Sequence, residues 1–454
     1  MTRATGRPGP EKAGSNIVKV VAASMAGTTV EWYDFFLYGV AAALVFPAVF
    51  FPASDPAVGT LASLGTFAIG FIARPVGGLV FGHFGDKIGR KKLLVLSLLL
   101  MGAATFAIGL LPGYATIGIW APILLVVLRL IQGFALGGEW GGAVLIVSEH
   151  GDPARRGYWA SWPQAGVPMG QLLANGLLAL LALFQPEEAF LAWGWRVPFL
   201  LSAVLVGIGL YIRLAVEESP VFKAAQQEAE RKAAAGEREV MPILDVFRRY
   251  PREVFTAMGA RFAENVSYYI FTIVVVTYLT KSAEHKLSSS FVLNAVLIGA
   301  AFHLITIPIW GALSDRFGRR PIYLLGAVGV GVWAFVFIYL IDTESFPLTV
   351  LAIVGGLLFH GAMYGPQAAF LSELFGTKVR YSGVSVGYQL ASIVAGGLAP
   401  IVGVWLYTQY GGYAVAVYVA LSALVSVLAV ATYGETSRRD LSADHAVPAD
   451  ASRP

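Results

Sequence analysis

Twelve apolar runs of roughly 20 residues or more recur along the chain. Their approximate limits are 18–50, 58–84, 92–112, 117–148, 157–184, 194–215, 254–280, 288–313, 321–341, 346–375, 381–408 and 412–433. A hydrocarbon core about 30 Å thick is crossed by about 20 helical residues, and a helix satisfies its own backbone polar groups there. The pattern predicts an all-α polytopic membrane protein. Composition agrees: 13% of the residues are charged, about half the share of a soluble domain, and the mean hydropathy is +0.68. The 51 glycines suit close helix approach. There is no cysteine, which excludes disulfides, thiol catalysis and thiolate metal sites. The polar lead Met1–Asn16 runs straight into a full-length span, so no cleavable signal is expected.

The basic residues orient the bundle. Of the 32 Lys and Arg, 26 fall on the side of the N-terminal tail, in the even-to-odd loops and in the C-terminal tail. Only Arg196, Lys281 and Lys286 fall on the other side, and Arg74, Arg129 and Arg261 fall within spans. Both termini are therefore expected to be cytoplasmic. The expected layout is a tail (1–17), a six-helix half (18–216), a cytoplasmic linker (217–253), a second six-helix half (254–433) and a tail (434–454). The linker contains "KAAQQEAERKAAAGEREV", which reads as a charged surface helix.

The halves echo each other. "GHFGDKIGRKK" (82–92) and "GALSDRFGRRP" (311–321) both read G-x-x-x-D-[KR]-x-G-R-[KR], after spans two and eight. "GGAVLIVSEHGDPARRGYWAS" (141–161) matches "GPQAAFLSELFGTKVRYSGVS" (365–385) with Gly, Ser, Glu, Arg and Ser in register. A shift of 230 places Asp34 opposite Glu264 and Tyr38 opposite Tyr268. Two six-helix halves related by a repeat are the mark of secondary transporters, with a substrate site between them near mid-membrane.

The 6+6 arrangement with its G-x-x-x-D-K-x-G-R-K-K loop resembles the major facilitator superfamily. Within it, "EWYDFFLYG" (31–39), "FIARPVGGLVFGHFGDKIGRKK" (71–92), "RLIQGFALGGEWGGA" (129–143), "WGWRVPF" (193–199) and "EESPVF" (217–222) are similar to the metabolite:proton symporter family. That family includes permeases for shikimate, α-ketoglutarate, citrate and proline/betaine, and "GGEWGGA" is nearest to the shikimate-type wording. The resemblance covers essentially the whole chain. It implies twelve transmembrane helices in the pseudo-symmetric major facilitator fold, a multi-pass place in the cell (inner or plasma) membrane, and uptake of a small metabolite with protons. It also implies that the loop motif latches the halves on the cytoplasmic face. The gating residues are then Gly82, Asp86, Lys87, Gly89, Arg90, Asp315, Arg316, Gly318 and Arg319. The alternative is that the motif only orients the protein, which accounts for its basic residues but not for the repeated Asp and Gly.

A lone charge at the bilayer centre costs roughly 2.5–3.5 kcal/mol on insertion scales. Seven charges nevertheless sit within spans: Glu31, Asp34, Arg74, Arg129, Glu139, Arg261 and Glu264. Counted from the charged end, most share one layer roughly 15 Å deep, with Arg129 further out. Four acids face three cations, so one acid is expected to hold a proton in at least one state. The leading pair is Glu31 and Asp34; Arg129, Glu139 and Glu264 complete the proton-coupling candidates. The alternative is that these charges only form salt bridges between helices. Glu31, Asp34 and Tyr38 share a helix face, expected to line the central cavity. Pro75, next to Arg74, removes a helix hydrogen bond and is expected to bend span two.

Arg74 and Arg261 are the candidate partners of a substrate carboxylate, because a guanidinium fork matches it in two bonds. Arg261 can instead neutralise Glu264. Tyr38, Trp140, Tyr158, Trp162, Gln164, Tyr268, Tyr269, Tyr364 and Gln389 are further cavity candidates, each also explicable as helix packing. His303 and His360 are either proton groups or buried structural histidines. The expected partners are a small organic acid or betaine-like molecule, protons and the bilayer. The chain is expected to be a monomer with no nucleic-acid partner, no metal and no cofactor beyond the coupling proton. No nucleophile–base or metal-ligand constellation argues for an enzyme. A drug antiporter is disfavoured because "QAGVPMGQLLANG" (164–176) departs from the antiporter pattern. A flux-free sensor is disfavoured by the coupling charges. A short C-terminal tail without heptads argues against osmosensing, though not against betaine.

Overall fold

Long apolar runs bounded by Pro, Gly and basic clusters become helices that cross the molecule from end to end. The computed structural model describes residues 10–52, 56–88, 90–137, 147, 152–215, 248, 250–282, 284–376, 380–437 and 439. Among them the long helices are α1 (Pro10–Leu44), α2 (Pro56–Ile88), α3 (Arg90–Leu110), α4 (Trp120–Leu136), α5 (Arg156–Phe184) and α6 (Arg196–Ala215). After the linker come α7 (Pro251–Lys281), α8 (Ser289–Phe317), α9 (Arg319–Ile341), α10 (Phe346–Leu374), α11 (Arg380–Tyr410) and α12 (Gly412–Ala431). No strand occurs among the described residues. Eight of these helices are apolar and long enough to cross a membrane; Val95–Leu110 and Trp120–Leu136 are apolar but shorter. The others, α1 and α5, carry buried polar residues, among them Glu31, Asp34, Gln164 and Gln171.

Local chemistry explains several ends. Pro251 starts α7, where its missing N–H is no loss. The Ser288 hydroxyl caps α8 by accepting from the Phe291 N–H at 3.2 Å. Gly318, at φ 101°, lets the chain turn from α8 into α9, and Gly411, at φ 81°, does so between α11 and α12. Two helices are interrupted near their middles by π-type turns, α7 at Ile270–Val274 and α11 at Ser392–Gly397. Such turns displace the ladder and favour functional positions. By contrast, α2 continues as helix through Pro75.

Burial separates centre from rim. Within the most apolar 18-residue stretch of each helix, 94% of the residues are buried in α7 but 39% in α9 and α12. Leu, Val, Ile and Phe on the rim are exposed, as a lipid-facing surface requires. The halves meet along α1, α2 and α5 on one side and α7, α8, α10 and α11 on the other. Gly157 of α5 and Gly311 of α8 allow backbone contact there: a Cβ on either would lie 2.6 Å from the other's carbonyl oxygen.

The structure departs from the expected limits at a few places. Helix α1 begins at Pro10, ahead of the apolar run. The run at 117–148 is helical at Trp120–Leu136, and residues 138–146 and 148–151 lie outside the described residues. So do 216–247, most of the expected linker, and 440–454, most of the final tail.

Candidate functional site

In the N-terminal half, α1 brings Glu31 and Asp34 against α2, α3 and α4. They line a cavity of about 10 Å³ with Arg74, Arg129, Gln132 and Gly70, about the room one water needs. Asp34 is 2% exposed, and neither carboxylate oxygen accepts a hydrogen bond among the described residues. Thr105, whose side chain lies within interaction range of Asp34, donates to the Met101 carbonyl oxygen at 2.9 Å and accepts from Gln132 Nε2 at 2.7 Å. Gln132 Oε1 in turn accepts from Arg129 Nη1 at 3.1 Å. The Arg129 guanidinium lies 4.1 Å from the Tyr38 ring centre and near the Phe35 and Phe67 rings, so aromatic faces carry part of its charge. Gly70 makes room for it, since a Cβ there would stand 2.6 Å from Arg129 Nε.

Arg74 sits where the two halves meet. Its guanidinium lies 4.2 Å from the Phe71 ring and 4.8 Å from the Phe35 ring. Glu31, Tyr269, Tyr388 and Arg261 surround it within electrostatic range. Aromatic rings fill the space between the halves: Tyr269 stands 5.9–6.0 Å from Phe35, Phe67 and Phe71, and Tyr268 stands 5.7 Å from Phe36. The Tyr268 hydroxyl crosses the interface to donate to Gln171 Oε1 at 2.8 Å.

In the C-terminal half, Arg261 and Glu264 are one helical turn apart and 3.0 Å from each other. Arg261 also donates to Gln367 Oε1 (2.9 Å), Ser392 Oγ (3.0 Å) and Asn265 Oδ1 (3.2 Å), and it covers the Tyr388 ring at 3.4 Å. Glu264 accepts from Gln367 and Asn265. Each charge of this buried pair is thus both paired and hydrogen-bonded, as such a site requires. Among the described residues no group of side chains has the make-up of a metal site.

The charged end is closed by bonds between the halves. Asp315 of α8 accepts from the backbone N–H groups of Gly157 (2.7 Å) and Tyr158 (2.8 Å), the first turn of α5. Arg319 holds the same carboxylate at 2.7 Å and reaches Glu373 at 3.3 Å. Arg156, from the other half, meets Glu373 at 3.0 Å. Arg316 is exposed, and Gly318 supplies the turn. The surroundings of Gly82, the side chains of Asp86, Lys87 and Arg90, and all of Gly89 lie outside what the structure describes.

Three placements correct the sequence reading. Tyr38 does not line a space between the halves: its hydroxyl donates to Thr66 Oγ1 at 2.6 Å and its ring packs on Phe46, all within the N-terminal half. The face shared by Glu31, Asp34 and Tyr38 turns inward because Phe35 and Phe36 occupy the face toward α7. Arg129, further out by its position along α4, returns its long side chain to the Asp34 cavity and so joins that layer. Gln389 reaches across the interface, donating to the Gly137 carbonyl oxygen at 3.3 Å. Trp162 is half-buried beside Tyr158, and Gln164 is buried on α5. Tyr364 is buried with its hydroxyl unpartnered among the described residues. Glu139 and Trp140 lie outside the described residues. The sequence reading missed Thr105, Gln132, Gln171, Asn265, Gln367, Tyr388 and Ser392. Their one signal is a polar side chain inside an apolar run.

Comparisons with known proteins agree with this architecture. The family described as "Sugar (and other) transporter" matches residues 19–446. The inner membrane metabolite transport protein YhjE of Escherichia coli K12 is 43% identical over 93% of this chain and 95% of its own length. The shikimate transporter of the same organism is 41% identical over 91% and 94%. The E. coli proline/betaine transporter is 37% identical over 93% and 84%. Among solved structures, the proton:xylose symporter XylE of the major facilitator superfamily superposes with a TM-score of 0.71 at 18% identity, covering 93% of this chain and 97% of that one; at that identity the likeness concerns the fold. The chain belongs to the sugar (and other) transporter family, with the fold of the major facilitator protein XylE, and it is a multi-pass membrane transporter rather than an enzyme.

Proposed function

We propose that this transporter takes up a small organic acid or zwitterionic metabolite in symport with protons, by alternating access. The single observation that carries the reading is Asp34, buried at 2% exposure with neither oxygen accepting a hydrogen bond among the described residues. An ionised carboxylate so placed is costly, and a proton removes the cost. Arg129 and Glu31 face it across the small cavity, so binding and loss of the proton alter the charge balance beside Arg74. Arg74 is the substrate's carboxylate partner in this reading. The named relatives carry shikimate and proline/betaine, and all three compounds bear a carboxylate. The charged end faces the cytoplasm, the coupling proton is the only cofactor, and the monomer in the bilayer is the working unit.

The test is paired, in proteoliposomes with shikimate and betaine as probes: uptake driven by a pH gradient, and counterflow exchange. Asp34→Asn is expected to abolish proton-driven accumulation while exchange survives, because exchange needs no net proton movement. Accumulation retained in both Asp34→Asn and Glu31→Gln would sink the reading.

Betaine has a specific observation in its favour. The cluster of Phe35, Phe67, Phe71 and Tyr269 beside Arg74 offers ring faces to a quaternary ammonium and a fork to its carboxylate. Thermal stabilisation of the purified protein by betaine but not by shikimate would select that branch.

A further inference from the structure

Three buried titratable side chains in the C-terminal half form a line that the Asp34 reading leaves unused. Glu264 is on α7, His360 on α10 and His303 on α8, and each is 5% exposed or less. His360 Nδ1 and His303 Nε2 share a hydrogen bond of 2.9 Å. At one end, His360 Nε2 stands 3.6 Å from Glu264 Oε1, beyond hydrogen-bond length, and has no hydrogen-bond partner among the described residues. At the other end, His303 Nδ1 has no partner among the described residues.

Two neutral imidazoles hold two protons on four nitrogens. One proton occupies the shared bond. The second sits at an end, on His360 Nε2 facing Glu264 or on His303 Nδ1. The two arrangements differ only by a shift along the line. The 3.6 Å gap to Glu264 closes to hydrogen-bond length with a movement of roughly 0.7 Å.

What holds Glu264 in its present state is Arg261, at 3.0 Å, with Gln367 and Asn265 donating to the same carboxylate. Arg261 lies within electrostatic range of Arg74, so a substrate carboxylate bound at Arg74 competes with Glu264 for it. We propose that Glu264, His360 and His303 form a second proton-loading relay, which protonates Glu264 when a substrate carboxylate draws Arg261 away. This rests on the reading above that the substrate carries a carboxylate.

The step balances. A proton from water on the open side of the carrier binds His303 Nδ1. The shared proton passes from His303 Nε2 to His360 Nδ1. The proton on His360 Nε2 passes to Glu264 Oε1, which becomes a neutral carboxyl. Both imidazoles end neutral, and Arg261 has exchanged one carboxylate for another. The buried cluster therefore keeps its net charge, which a low-dielectric site favours.

The neighbours fit a relay. The Tyr268 ring of α7 packs at a tilt against His360 (4.8 Å) and His303 (5.7 Å), with its hydroxyl donated to Gln171 of α5. Tyr364 of α10 lies 5.3 Å from His360 and 6.3 Å from His303. Tyr323 of α9 is bonded to Gln367, and Tyr388 of α11 lies under Arg261. Among the described residues the charged groups facing the line are Arg261, Glu264 and, through Arg261, Arg74.

The experiment has two arms. In proteoliposomes with shikimate as probe, the proton-to-substrate ratio is read from the membrane voltage at which net flux stops. The ratio is expected to be two in the wild type and to fall by one in His360→Asn. A wild-type ratio of one, or an unchanged ratio in His360→Asn, overturns the proposal. The second arm needs no substrate. Arg261→Gln removes the counter-ion directly and is expected to produce the infrared carbonyl stretch of a protonated carboxyl at neutral pH. That band is expected to vanish in Arg261→Gln/Glu264→Gln. Its absence from Arg261→Gln overturns the relay. A wild type that fails to carry shikimate counts against the transport reading alone, because the infrared arm still decides the relay.

Discussion

Arg74 is the residue whose surroundings say most about the cargo. It is buried on α2, flanked by the Phe35 and Phe71 rings and turned toward Arg261 and Tyr388 of the other half. Arg74→Lys keeps the charge but loses the fork and the flat surface that stacks on a ring. Apparent affinity for an anionic probe is expected to fall about tenfold, the equivalent of one charge-assisted hydrogen bond of about 1.5 kcal/mol, while membrane insertion stays normal. Wild-type affinity would remove Arg74 from the site. Gly70→Ala tests the second arginine: its Cβ would press on Arg129 Nε, 2.6 Å away. Normal expression with an altered pH profile of uptake is expected, because the flexible guanidinium end moves rather than the backbone. An unchanged profile would separate Arg129 from coupling. The sequence pointed to these charges because each is expensive in an apolar run. It did not show which neighbour they meet. Helical spacing put Glu31, Asp34 and Tyr38 on one face, but only packing decides that Phe35 and Phe36, not that face, look toward α7. Gln132, Gln171, Gln367 and Ser392 were missed because a single amide or hydroxyl in a span costs too little to stand out.

Helix α9 is capped by a residue more than a hundred positions away. Gly318, the residue before it, has no side chain to offer. Glu435, just after α12, accepts from the backbone N–H groups of Arg319 (2.8 Å) and Arg320 (3.0 Å), and of Ser437 at 2.9 Å. Partial burial opposes the charge on Glu435. The N–H groups of Ser437, Arg319 and Arg320 outweigh it and hold the carboxyl below its ordinary range. A depressed value means that the stabilisation is complete above the unfolded pKa and is lost as pH falls through the folded one. Glu435→Gln is therefore expected to lower the melting temperature slightly at neutral pH, by the low end of a helix-cap effect, about 0.5 kcal/mol. The deficit is expected to vanish in acid below the ordinary carboxylate range; a deficit that persists there would show that charge is not its cause. Element order and most helix limits were legible from length and hydropathy, since a bilayer fixes both. The π-type turns at Ile270–Val274 and Ser392–Gly397 were not, because "IFTIV" and "SIVAGG" read as ordinary apolar helix. This remote cap was not legible either, because nothing local marks it.

At the scale of the whole molecule, the halves are fastened at the charged end by Asp315 on the first turn of α5 and by Glu373 between Arg156 and Arg319. The repeated Asp of the two loop motifs thus has a physical task in the second copy. An aspartate spends both oxygens on adjacent N–H groups at a helix N-terminus, where the partial positive charge of the helix favours it. Such a latch must break for the molecule to open at that end. Asp315→Asn keeps the size but leaves one oxygen acceptor where there were two, and it removes the charge that Arg319 meets at 2.7 Å. Water replaces part of what is lost in the open state, so the net shift is about 1 kcal/mol, roughly fivefold in the ratio of open to closed forms. The native chain has no cysteine, so single cysteines placed along α5 and α8 report accessibility from each side without background. Labelling from the charged end is expected to rise in Asp315→Asn and labelling from the opposite end to fall, as the proposed alternating access requires. If both rates stay at wild-type values, the bonds to Gly157 and Tyr158 hold the helices in register without setting the balance between states.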